Sequence, residues 1–173
     1  MTDTVTERKS LSSRRGIGGF IALLGGLAMI VSVFLPWFAA GGPSYSGWDA
    51  VVDDAMNVSG VGDFYDSPFF AESGFSPFFT GLAVLIAGIL LVLIGLALLA
   101  SLRGGAFHLP GVLQILLGVL ALGIAVVGVT NLASLYATGD TDILQPEYGI
   151  FVLTAGAVVG MLGVWLAIGG EKS

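Results

Sequence analysis

Four long apolar runs dominate the chain: Ile17–Phe38, Phe78–Leu102, Pro110–Leu135 and Gly149–Ile168. None holds an Asp, Glu, Lys, Arg or His in its interior. A helix needs roughly 20 apolar residues to cross the hydrocarbon core of a bilayer, so each run predicts a spanning helix. Prolines punctuate the ends, with Pro36 near the first exit and Pro77, Pro110 and Pro146 before the other three. Proline suits a first helical turn, where its missing N–H would have no intrahelical partner. The polar remainder is a disordered cytoplasmic tail (1–15), two outer loops (39–77 and 136–148) and a short tail (171–173). One membrane domain, 16–170, is expected.

Inside the runs the glycines repeat every seven residues. Gly18 and Gly25 are continued by Ser32, and Gly81, Gly88 and Gly95 mark the second span. Gly111 and Gly118 are continued by Ala125, and Gly149, Gly156 and Gly163 mark the fourth span. A seven-residue repeat keeps one stripe facing a partner in a left-handed supercoil. Lipid offers no hydrophobic drive between helices, so small residues matter by letting backbones approach. The fold class expected is all-α: a polytopic, left-handed, antiparallel four-helix transmembrane bundle with crossings of roughly 20°. Gly18, Ala22 and Gly26 also stand four apart, as do Gly156 and Gly160. That spacing serves either packing within the chain or association with a second copy.

Composition narrows the class. Of 173 residues 55% are apolar and 10% charged, against about a quarter charged in soluble domains. A net charge of −6 argues against nucleic acid as a partner. Zero cysteines exclude disulfides and thiol chemistry, and one histidine, His108, excludes a histidine cluster. All six bases (Arg8, Lys9, Arg14, Arg15, Arg103 and Lys172) fall on one side of a four-span thread, and nine acids fall on the other. The positive-inside rule then puts both termini in the cytoplasm, as a multi-pass protein of a bacterial plasma membrane. The four basic residues before the first span would meet the anionic inner leaflet. The first run is longer than the roughly 7–15 residues of a signal-peptide core, so it reads as an uncleaved anchor.

Candidate chemistry is sparse. Polar residues in the spans are Ser32, Thr80, Gln114, Thr130, Asn131 and Thr154, suited to interhelical hydrogen bonds. A substrate contact is the alternative for Gln114. No catalytic residue, cofactor or metal is expected. The outer loop is more distinctive. Ser46 or Gly47 can cap a short helix over 47–57, with Trp48, Val51, Val52, Ala55 and Met56 on one face. Asp49, Asp53 and Asp54 fall away from that face, as a solvated acidic surface or a calcium-binding cluster. Trp37 sits where an interfacial aromatic belt would lie. Trp37, Trp48, Asp49, Asp53 and Asp54 are therefore the candidate outer-loop interaction residues.

FLPWF (Phe34–Phe38) followed by SGWDA (Ser46–Ala50) resembles a class of small, actinobacterial-type four-helix membrane proteins. The resemblance implies a plasma-membrane location and no assigned reaction. The layout also looks like that of claudin-type tetraspans, and Trp37 with Gly47-Trp48 is similar to their Trp…Gly-Leu-Trp pattern. The spacing here is shorter, the Leu is absent, and so are the paired loop cysteines that would support a claudin-type outer sheet and junction role. The expected function is a non-enzymatic structural, scaffolding or accessory subunit of a membrane complex. Its partners would be the lipid bilayer and other membrane proteins or itself. An oligomeric pore or a transporter of small solutes or ions is the alternative.

Overall fold

A computed structural model describes residues 3–40, 42, 44–49, 81–102, 110–137 and 144–169. Four helices in it are long and apolar enough to cross a membrane. They are α1 (Asp3–Ser32), α2 (Gly81–Ala100), α3 (Gly111–Ala137) and α4 (Tyr148–Ile168). Three short strands accompany them: β1 (Pro36–Ala40), β2 (Ser44–Ser46) and β3 (Leu144–Pro146).

Helix α1 is the hub, packing between α4 and α2, while α3 packs mainly on α4. Antiparallel pairing follows from the glycine contacts. Gly18 backs onto the Gly163 carbonyl, and a Cβ on Gly25 would stand 2.5 Å from the Gly156 carbonyl oxygen. On its other side α1 presents Gly19 and Gly26, which meet the backbone around Gly95 and Gly88 of α2. The glycine stripes of α1, α2 and α4 thus lie against one another inside a single chain. Between them the core is filled by Ala22, Met29, Leu91, Leu98, Leu153, Ala157 and Val164.

The architecture is mostly helical, consistent with the all-α bundle expected. Three details were not anticipated, the first being a small sheet of order β2-β1-β3 in which β1 pairs antiparallel with both β2 and β3. This sheet forms in a chain without cysteine and is held by backbone pairing. The first span is shorter than 17–38: its helix stops at Ser32, and Pro36-Trp37-Phe38 is strand. Proline disfavours helix in the residue before it and has no N–H to give the helical ladder. Residues 3–15, assigned to a disordered tail, continue α1. Extending an existing helix avoids the nucleation penalty that a free polar segment faces.

Candidate functional site

The site is built at the sheet end of the bundle, where α1 must stop without leaving carbonyls bare. The last carbonyls of a helix lack intrahelical donors, and in a lipid environment water cannot be relied on to supply them. Here each one is met. The Ser32 hydroxyl donates to Met29 O at 2.6 Å. The amides of Val33, Phe34 and Leu35 donate three residues back, to Ile30, Val31 and Ser32. Ser32 O also accepts the Trp37 indole Nε1–H at 2.7 Å. Val33 O accepts the Trp48 amide at 2.9 Å.

Trp37 is the centre of this arrangement. Expected at an interface, it is 1% exposed. The β1–β2 register is irregular between Pro36 and Phe38, and such bulges re-aim a side chain. The ring turns under the sheet against Gly47, where a Cβ would lie 2.5 Å from Cζ2. Gly81, the first residue of α2, abuts the Gly47 carbonyl. Trp37 O accepts the Glu147 amide at 2.8 Å, and Gly149 backs onto the Pro36 carbonyl. Trp37, with Pro36 before it and Gly47 against its ring, therefore joins the end of α1, both loops and the starts of α2 and α4.

Trp48 and Asp49 lie on the outer side of this clasp. Trp48 is exposed and packs on Phe34, with ring centroids 5.5 Å apart. Phe38 and Tyr45 stack across β1 and β2 at the same separation. Residues 47–49 are helical, the described part of the segment 47–57. Their start is a reciprocal cap: the Asp49 amide donates to Ser46 Oγ at 3.1 Å, and the Ser46 amide donates to Asp49 Oδ2 at 2.8 Å. The Ser46 hydroxyl adds a 2.7 Å bond to the same carboxylate oxygen. Asp49 thus works as a capping residue. Asp53 and Asp54, with the rest of the segment 47–57 expected to be helical, lie outside the described residues, as do Arg103 and His108.

The remaining predicted positions are helix contacts. Gly88 and Gly95 meet α1, Gly156 and Gly163 do the same from α4, and Gly118 faces Ile168 and Trp165. Gly111 opens α3. Asn131 is fully buried, its Nδ2 donating to Val127 O at 2.6 Å. The Thr154 hydroxyl reaches across to Gly128 O at 3.1 Å. Gln114 is half-buried. Among the described residues, no three His, Cys, Asp or Glu side chains are grouped to hold a metal ion. Gly19 is a packing glycine that the sequence pattern does not single out; with Gly26 it forms a second stripe of the same seven-residue interval. No protein-family model, curated protein or solved structure matches the chain.

Proposed function

We propose that this chain is a non-catalytic subunit of a bacterial plasma-membrane assembly, spanning four times with left-handed crossings and both termini in the cytoplasm. Its task in this reading is structural: to present one ordered extracytoplasmic surface and one apolar helix to other membrane proteins. The observation that carries it is the burial of chemistry into architecture. The polar groups at the sheet end close helix ends and strands, and the glycine seams of α1, α2 and α4 bring backbones together rather than line a path. The aromatic pair Phe34 and Trp48 and the flank of α3 remain exposed.

Affinity purification of the chain from native membranes in mild detergent tests the reading. Reproducible recovery of stoichiometric membrane partners, weakened by Trp48→Ala, supports it. Recovery of a lone monomer, or selective ion flux through liposomes carrying the purified chain, overturns it.

A further inference from the structure

The four helices are not held to the bundle equally. In the spanning windows 39% of residues are buried in α1 and in α2 and 44% in α4, against 22% in α3. The deficit is confined to one half of α3. Its buried residues, from Ala121 through Ile124, Ala125, Gly128 and Asn131 to Leu135, begin only at position 121. Among residues 112–120 none is buried, and Val112, Ile115, Leu116 and Val119 are 59–71% exposed.

The attachments follow the same division. In the second half, Gly128 lies against Ala157, with a Cβ site 2.5 Å from the alanine methyl, and accepts the Thr154 hydroxyl. In the first half Leu117 packs against the core, and the Gly118 carbonyl accepts the Trp165 indole at 3.3 Å. Between the two lies Gly123, exposed, with nothing within 4 Å of where a Cβ would stand. The glycines within α1, α2 and α4 all meet a neighbouring element. Packing accounts for those and leaves Gly123 without a packing role.

We infer that α3 is a jointed helix. Residues 111–120 form an arm that swings about Gly123, residues 124–137 stay fixed to α4, and the Trp165–Gly118 bond together with the Leu117 contact is the catch holding the arm down. A glycine joint bends with no side chain crowding the concave side and with the widest backbone freedom of any residue. The Gly118 carbonyl keeps its place in the helix as the arm moves, so release gives up the Trp165 indole contact alone among the hydrogen bonds described between the arm and α4. Released, it uncovers the face of α4 around Trp165 and Ile168.

Paired nitroxide labels on introduced cysteines test this in a chain that has none of its own. The labels are Leu116→Cys with Leu162→Cys for the arm, and Ala133→Cys with Phe151→Cys for the fixed half, with the full chain in lipid nanodiscs. The arm pair should give a distance distribution about twice as wide as the fixed pair. Adding Gly123→Ala should narrow the arm distribution and leave the fixed pair unchanged, and Trp165→Phe should widen the arm distribution further. Equal widths for the two pairs, or an arm distribution indifferent to Gly123→Ala, would overturn the joint.

Discussion

Trp37 and Gly47 form a pair in which neither residue can change alone. The indole needs the room that the missing Cβ leaves, and Ser32 O takes its N–H donor. Gly47→Ala puts a methyl where the ring now sits, and overpacking of this kind destabilises by about 1–3 kcal/mol. The expected outcome is a lower unfolding midpoint in detergent, followed by intrinsic fluorescence. Trp37→Phe removes the donor while keeping an aromatic ring, and should destabilise by about 1–2 kcal/mol through the lost hydrogen bond and reduced contact. Asp49→Ala removes one half of the reciprocal cap, worth about 1 kcal/mol at a helix start. A midpoint unmoved by Gly47→Ala would show that Trp37 has another place to go. The sequence marked both residues but misjudged Trp37. An aromatic at the end of an apolar run reads as an interface anchor, and its partner ten residues later supplies only an absence of side chain.

At the scale of elements, the seven-residue spacing carries the helix pairing and the sheet stays hidden. Gly18, Gly25, Gly156 and Gly163 announce a seam by their interval, and the structure sets them face to face. Gly19 and Gly26 carry the same interval, and they turn α1 into a helix with two seams. A strand of three residues such as β2 or β3 has too few positions for alternation to show. Pro36 and Trp37 also continue an apolar run without any break in hydropathy, so the helix end at Ser32 was legible only through the proline. The seam predicts a graded response. Gly25→Ala places a methyl against the Gly156 backbone, where neither helix can yield by a rotamer change, and should destabilise by about 1–3 kcal/mol. Gly25→Leu should prevent α1 and α4 from closing, read as loss of folded protein in size-exclusion chromatography. A Gly25→Leu variant as stable as the parent would show that this close approach does not hold the bundle.

For the whole molecule, the sheet and the charge partition make one joint demand. The strands draw on both loops, since β1 and β2 follow α1 while β3 precedes α4. Both loops must therefore lie on the same side of whatever the helices cross. That side holds nine acids and no base, while the six bases fall at the opposite ends of the helices. Lysine and arginine are retained on the cytoplasmic side, so the sheet should face outward. The pairing of strands and the distribution of charge are independent features, and they agree on which segments share a side. A cysteine at Ser44, exposed beside the sheet, should react with membrane-impermeant thiol reagents in intact cells. A cysteine at Ser13, exposed on α1 beyond the far end of the bundle, should react only after permeabilisation. The reverse pattern would turn the thread over and place the Trp37 clasp in the cytoplasm. Labelling at both positions in intact cells would break the assumption that one membrane separates the two ends of α1.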